Sequence, residues 1–542
     1  MESFGTLNWV IVIVYLLANL LLGWFMSRKI STAEDYYIGD RSSPWWAIGI
    51  SVIATYISAL SFLGGPAWAY GDGMAALAIH INYPIVIFIV VVFFLPFFYS
   101  SGVASIYDYL ERRFGKKSRA IISALFLVTQ TITTASILTA TAFVITFATG
   151  IDPKTAIILM SAIVVGYTLM GGMNAVIWTD VLQGFILFLG AGIIFYILIG
   201  EVSPMSGALT MLGENDKLNP LNWSLDFSVA PTVWAGVVAM TLFHITVYGG
   251  NQMMVQRTLG AKSMGDAKKS YLLMGFAAFF IYFLFFFIGA LLYVYFKGKV
   301  FAEPNQIILI FANMLAIPGL MGIIAAAILS ASMSSLSSAL NSLATISVLD
   351  FYQPYMKRDG DEKHYLTASR IFTVTWAIFI IPIAFAFIDS KGSILETFTE
   401  VSSYFVGAQL AIFGLGFFSK NTTEKGLIIG VIVGFIGVYV FAAGIPFTSW
   451  TPPTIAWPWF VVIGGAINIV VSIVASLILD GKQKSWHEQT VKGQQLKFAA
   501  EGLPEKVDGW YVVPGKVDKV VWLLPILFIF IMLFLAYFST LG

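Results

Sequence analysis

Cysteine is absent from all 542 residues, which excludes disulfides, thiolate metal sites and cysteine nucleophiles together. Charge is scarce too: Asp, Glu, Lys and Arg make up 11% of the chain and sum to a net +1, so no basic surface draws nucleic acid. What fills the chain instead is apolar, at 58% hydrophobic residues and a mean hydropathy of +0.86. One soluble core could not bury that much apolar surface, so an integral membrane protein partnered by the lipid bilayer is expected. The first apolar run follows Glu2 and precedes Arg28 and Lys29, the reverse of a secretory leader, and reads as a retained span.

Segments long enough to cross a bilayer lie near 8–27, 44–72, 77–101, 119–150, 153–172, 176–202, 231–256, 269–297, 312–350, 366–389, 393–418, 425–444, 456–480 and 520–540, fourteen in all. With both termini outside, the loops holding ERRFGKK at 111, QRTLGAKSMGDAKK at 256, MKRDGDEK at 356 and the 481–519 stretch all fall inside. Only Lys154, Lys217, Lys297, Lys299 and Lys391 then remain outside, five of the 30 Lys and Arg, and the positive-inside rule selects that orientation. The 481–519 stretch, rich in Lys, Gln and Glu, reads as a solvated inner loop.

Two spans carry matching interruptions. The second reads SVIATYISALSFLGGPAWAY and is expected to break at Gly64, Gly65 and Pro66; five spans later, FHITVYGGNQ is expected to break at Gly249 and Gly250. An odd separation sets the two helices in opposite directions, the pattern of inverted repeats whose broken helices frame a binding site. By contrast, GLIIGVIVGFIG from Gly426 has small-xxx-small spacing and reads as a close helix contact only.

Between 330 and 342 stand seven serines, and Ala331, Ser334, Ser335, Ser338 and Ser342 share one helical stripe with Ser337 and Asn341 at its flank. A single serine in such a helix usually bonds back to the carbonyl one turn earlier. A crowded stripe also suits a hard cation such as Na+, which needs several oxygens in place of water. Asp180, in NAVIWTDVLQ, sits at the start of a predicted span, where its carboxylate is either an interfacial residue or a functional one.

The motifs DYYIGDRSSPWWAIGIS at 35, SIYDYLERRFGKKSR at 105, AVIWTDVLQ at 175, NQMMVQRTLGAKS at 251 and SSLSSALNS at 334 resemble, in order and spacing, those of the sodium:solute symporter family. That family includes sodium-coupled sugar, sialic acid, proline, iodide, vitamin and monocarboxylate carriers. The resemblance implies an all-α membrane fold with a ten-helix core of two inverted five-helix repeats, at about 44–202 and 231–418. One peripheral span (1–30) precedes it; peripheral spans (419–480), the inner loop (481–519) and a last span (520–542) follow. It further implies a sodium site formed by the carbonyls of Ala54, Ile57 and Ala331 with the hydroxyls of Ser334 and Ser335. Some members hold a second sodium, for which Asp180, Ser334, Ser337 and Ser338 occupy the corresponding places. One charge crossing 100 mV with a tenfold sodium gradient supplies about 3.7 kcal/mol, or roughly 500-fold accumulation of a neutral solute per ion.

The solute is expected at the midplane between the broken helices, lined by Ser58, Ser61, His80, Thr133, His244, Tyr248 and Thr399. Similar sugar carriers show acids or amides at several of these places and a lysine after the second break; here stand Ser61, His80, His244, Ala278 and Thr399. Similar sialic acid carriers place an arginine on the fourth span, where this sequence has Thr133. Sugar, sialic acid or another small carboxylate therefore remain the alternatives. Proton coupling through His80, His244 or Asp180 is the alternative driver. A channel would want a continuous polar lining, and an enzyme would want a motif such as HExxH, GxSxG or a Walker loop, none of which is present. The compact loops suit a bacterial inner membrane.

Overall fold

A computed structural model describes residues 4–27, 32–101, 105–388, 394–445, 448 and 450–542. The expectations about Arg28, Lys29 and Lys391 lie outside the described residues. In chain order the helices are α1 (Thr6–Ser27), α2 (Ala33–Ile38), α3 (Trp45–Tyr56), α4 (Gly65–Asp72), α5 (Tyr83–Ile89), α6 (Leu95–Ser101) and α7 (Asp108–Arg113). Then come α8 (Lys116–Thr149), α9 (Pro153–Glu201), α10 (Met205–Glu214), α11 (Met240–Gly249), α12 (Gln252–Leu259), α13 (Met264–Tyr295) and α14 (Ile307–Leu315). The remainder are α15 (Leu320–Ile346), α16 (Glu362–Ala386), α17 (Ile394–Phe418), α18 (Glu424–Ala443), α19 (Pro458–Leu479), α20 (Val491–Glu501) and α21 (Leu523–Phe538).

Eleven described stretches are long and apolar enough to cross a bilayer, and three of four shorter apolar helices, Trp45–Tyr56, Pro153–Leu169 and Ala235–Gly249, bring the crossings to fourteen. Helix α9 holds two of them. At Gly172 its backbone turns to φ 48° and ψ −157°, a conformation open to glycine and strained for a side chain, so the chain reverses there. The ninth crossing starts later than the predicted 312. Ala316 and Gly319 are left-handed, and this turn separates α14 from α15.

Helix α15 is the axis of the molecule. In its most apolar window 94% of residues are buried, and it packs on α1, α3, α8, α9 and α16. A helix enclosed on all sides has no reason to expose its serines to lipid, so their hydroxyls face protein, and all of the described ones but Ser342 find a partner there. The small-residue run in α18 does what its spacing predicted. A Cβ on Gly426 or Gly430 would collide with Ser476 or Ser472 of α19, so only glycine lets the two helices approach so closely.

The 481–519 stretch departs from the solvated loop expected. It forms α20 and a two-stranded hairpin, β1 (Lys506–Val507) and β2 (Trp510–Tyr511), folded against the bundle. Lys268 at the start of α13 is 1% exposed; its Nζ bonds Asp518 Oδ2 at 2.6 Å and Tyr511 O at 2.8 Å. Gly515 N–H reaches Val92 O at 3.0 Å, a carbonyl whose helical donor four residues on would be Pro96, which has no N–H. Composition hid this docking because the few inward contacts are single residues among many polar ones.

Candidate functional site

Both predicted interruptions exist, and one lies elsewhere than expected. Helix α3 ends at Ile57 (φ −80°, ψ 87°), about two turns before Gly64. Ser58 causes the restart: its Oγ accepts from Leu60 N at 3.2 Å, and its carbonyl accepts from Phe62 N at 3.1 Å. Gly64 ends a π-helical turn over Leu60–Gly64, and Gly65 and Pro66 open α4, where no amide donor is needed. At the second break, α11 stops at Gly249 and Asn251 caps α12, its side chain accepting from Met253 N at 2.8 Å.

The first break leaves carbonyls without helical donors. Ser58 N–H turns to Tyr56 O at 3.0 Å, which strips Ala54 O of the amide an unbroken helix would offer it. The hydroxyl of Ser335 donates to Thr55 O at 2.7 Å and to Ala331 O at 3.2 Å. The end of α3 therefore rests on the serine stripe.

Around that contact the serines divide into two kinds. Ser330 and Ser332 bond back to Ala326 O and Ile328 O, and Ser337 to Ser334 O at 3.1 Å, as isolated hydroxyls in helices do. Ser334 and Ser338 reach across to other helices. Ser334 Oγ donates to Asp180 Oδ1 at 2.6 Å, while Ser338 Oγ accepts from Arg257 Nη2 at 2.6 Å and lies 3.3 Å from Thr55 Oγ1. Among the described residues Ser342 Oγ has no hydrogen-bond partner.

Asp180 corrects the interfacial alternative. It lies within the second arm of α9 at 0% exposure, and its Oδ2 accepts from Ser51 at 2.5 Å and Thr55 at 3.3 Å. Arg257, counted by sequence among loop cations, is also at 0% exposure, with Nη2 3.7 Å from Asp180 Oδ2. Four hydroxyls and one carboxylate thus converge beside the broken end of α3. Oxygens of this kind are what a hard cation takes in place of water.

Beside this cluster opens a cavity between α3, α8, α11, α12 and α17. Of the seven predicted solute residues it is lined by Ser58 and Thr133. Ser61, His80, His244 and Tyr248 lie in the cluster around Tyr56, which packs against Tyr83, His244, Tyr248 and Tyr282. Ser61 Oγ is 3.1 Å from Tyr282 OH, and the His80 ring stacks on Tyr282 with centroids 3.8 Å apart. His80 Nδ1 meets Tyr83 OH at 2.8 Å. Asn82 donates to Gly236 O, which aims its Oδ1 at His244 Nδ1, 2.9 Å away, and makes that nitrogen the protonated one. Tyr248 OH and His80 Nε2 have no partner among the described residues. Thr399 is buried and lies apart from the cavity lining.

Four residues of this region went unpredicted: Ser51, Thr55, Gln130 and Arg257. Ser51 and Thr55 are one turn apart on the face of α3 that meets the serine stripe, a spacing visible in the sequence. Gln130 lines the cavity one turn before Thr134, and its Oε1 lies 3.4 Å from Asn251 Nδ2. Arg257 carries no comparable signal, because a cation close to a predicted span end reads as solvated.

The model of the Sodium:solute symporter family matches residues 36–434. The chain is 29% identical over 497 residues to the sodium/sialic acid symporter SiaT of Proteus mirabilis, covering 90% of this chain and 98% of that one. It is 28% identical to the sodium/glucose cotransporter of Vibrio parahaemolyticus (77% and 82% covered) and 29% to human sodium-coupled monocarboxylate transporter 1 (74% and 67%). The solved structure of a Na+-coupled sialic acid symporter in a substrate-bound outward-open state, which reveals a novel Na+ site, superposes with a TM-score of 0.81 at 27% identity, covering 89% of this chain and 100% of that one. Mhp1, a nucleobase-cation-symport transporter, shares the fold at 13% identity and a TM-score of 0.54.

Proposed function

This chain belongs to the sodium:solute symporter family and is a multi-pass, sodium-coupled solute symporter rather than an enzyme; we propose that it moves a small neutral polar solute with two sodium ions. In this reading the first ion is held by the carbonyls of Ala54, Ile57 and Ala331 and the hydroxyls of Ser334 and Ser335. The second sits against Asp180, with Ser334, Ser337 and Ser338 supplying oxygens. The contact of Ser335 with Thr55 O and Ala331 O supports the first assignment, since it brings carbonyls of both helices to one hydroxyl. The convergence of Ser334, Ser338 and Thr55 near Asp180 supports the second.

The reading of the solute rests on one observation: none of the twenty described residues lining the cavity carries a charge. Thr129, Gln130, Thr133, Asn251, Ser402 and Gln409 offer neutral donors and acceptors, with Phe243, Phe405 and Met253 as apolar walls. Such a lining fits hydroxyls and amides; a carboxylate there would lack the guanidinium that makes anion binding strong. A sugar or similar neutral polyol is therefore favoured over sialic acid.

We place both termini outside and the chain in a bacterial inner membrane, with repeats at 44–202 and 231–418 and the peripheral elements at 1–30, 419–480, 481–519 and 520–542. Because α12 then lies on the cytoplasmic side of its break, the cavity faces inward, and the Tyr56, His80, Tyr83, Tyr248 and Tyr282 cluster closes the outer side. Ser61, His80, His244, Tyr248 and Thr399 meet the solute when that cluster opens outward.

Thermal-shift and uptake screening of the purified protein against sugars, polyols, amino acids, monocarboxylates and sialic acids, in Na+ and in choline, tests this. Sodium-dependent stabilisation by a neutral compound is expected. A response confined to carboxylates would overturn the solute reading, and uptake that persists in choline but collapses with a protonophore would replace the sodium sites by proton coupling.

A further inference from the structure

Arg257 is the unexplained group of the site. A buried carboxylate needs a neutralising partner, and among the described residues Arg257 is the one cation paired with Asp180. The pairing is incomplete. At 3.7 Å, Nη2 is within ion-pair distance of Asp180 Oδ2, yet its short hydrogen bond goes to Ser338 Oγ at 2.6 Å. Nη1 turns to Met253 O at 2.7 Å, and Nε has no partner among the described residues. A guanidinium built to stay would grip the carboxylate with two parallel bonds. This one rests beside it, and outside its own helix it is held by a single hydroxyl and by charge.

That hydroxyl is Ser338, one of the oxygens assigned to the second sodium. While Ser338 accepts from Nη2, the position a sodium ion would take against Ser338 and Asp180 faces a second positive charge only a hydrogen bond away. Two cations cannot share one carboxylate at that range without strong repulsion in a buried setting. We propose that Arg257 is the resident counter-cation of Asp180 in the sodium-free transporter, and that an arriving sodium ion must displace it from Ser338. The idea rests on the second sodium site proposed above.

The displaced group lies on α12, immediately beyond the second break. Its neighbour Gln256 ties the same helix to α15 through Asn341 Oδ1 at 2.9 Å and to Tyr37 O at 2.6 Å. Removing the Arg257 contact leaves α12 attached to the serine helix through Gln256. Sodium occupancy next to Asp180 is thereby converted into a loosened α12, and α12 contributes Met253 and Met254 to the solute cavity. Arg257 thus acts as a positioning residue that couples the ion to the wall of the solute cavity.

The experiment measures sodium-dependent thermal stabilisation, with choline as control, together with the sodium-to-solute ratio in proteoliposomes. With the competing cation gone, Arg257→Gln is expected to lower the sodium concentration at half-maximal stabilisation by about fivefold or more, the range of an ordinary coupling interaction, and to reduce solute accumulation at a fixed gradient. Arg257→Lys keeps a charge but cannot hold both Met253 O and Ser338, so it should shift the midpoint in the same direction by less; it stands in if the glutamine variant fails to fold. In an Asp180→Asn background, Arg257→Gln should produce no further shift. If Asp180→Asn alters the stoichiometry while both Arg257 variants keep the wild-type midpoint, the counter-cation role is wrong and the second site survives. If Asp180→Asn itself leaves midpoint and stoichiometry unchanged, the second site falls and this role falls with it.

Discussion

The hydroxyl of Ser335 donates to the carbonyl oxygen of Thr55 at 2.7 Å, bridging the serine helix and the broken end of α3. Without an ion, this bond satisfies an orphaned carbonyl; with one, the hydroxyl can turn its lone pairs to a cation. Ser335→Ala removes one of five proposed ligands and strands Thr55 O. The sodium concentration giving half-maximal uptake is expected to rise by about tenfold, the cost of one hydrogen bond to a charged group. A sodium titration of uptake at constant ionic strength measures it, and an unshifted curve would remove Ser335 from the site.

Asp180→Asn keeps the shape of the side chain and removes its charge. The reversal potential of solute-driven current should then report one sodium fewer per solute, since an amide oxygen neither attracts the ion comparably nor balances it. The variant also leaves Arg257 buried without its carboxylate, so stability is expected to fall by about 3 kcal/mol or more. An unaltered reversal potential in folded protein would leave Asp180 a purely structural partner of Arg257.

Long apolar runs make the crossings legible, and the second break falls where the paired glycines Gly249 and Gly250 point, with Asn251 capping the helix that follows. The first break lies away from the expected place for a physical reason: Gly64, Gly65 and Pro66 are the strongest breakers in their span, yet a π-helical turn ending at Gly64 and the first turn of α4 absorb them, while the weaker signal of Ser58 as a capping residue sets the discontinuity. The serine stripe could be read as a face, but which hydroxyls bond back and which reach across depends on α3 and α9, whose approach no local pattern encodes. Arg257 and Lys268 were hidden for a related reason. Each is a cation near a span end, where solvent is the default, and only a partner distant in sequence, Asp180 or Asp518, makes burial tolerable.

Lys268→Met should detach the 481–519 segment while sparing the transmembrane core. The substitution leaves Asp518 buried without its cation and removes the bond to Tyr511 O. Limited proteolysis should cut between residues 481 and 519 several times faster than in wild type, with the sodium midpoint of uptake unchanged. Equal cleavage rates would show that the segment is held by its other contacts, among them Tyr109 OH to Gln489 O at 2.9 Å.

Thr133 lines the cavity and spends its hydroxyl on Thr129 O at 2.9 Å, so the wall there offers no positive charge. Thr133→Arg supplies one. A guanidinium in this cavity would form a charge-assisted pair with a carboxylate and lose its own hydration to a neutral ligand that cannot repay it. Transport of a neutral solute is therefore expected to fall by about tenfold or more, while carboxylate-bearing compounds become better competitors. Competition measured on the variant and the wild type side by side separates this from simple crowding, because a bulky side chain alone would weaken both classes. Loss of both classes to the same degree would mean that Thr133 faces the solute without setting its charge preference, and the neutral-solute reading would then lose the support of this wall.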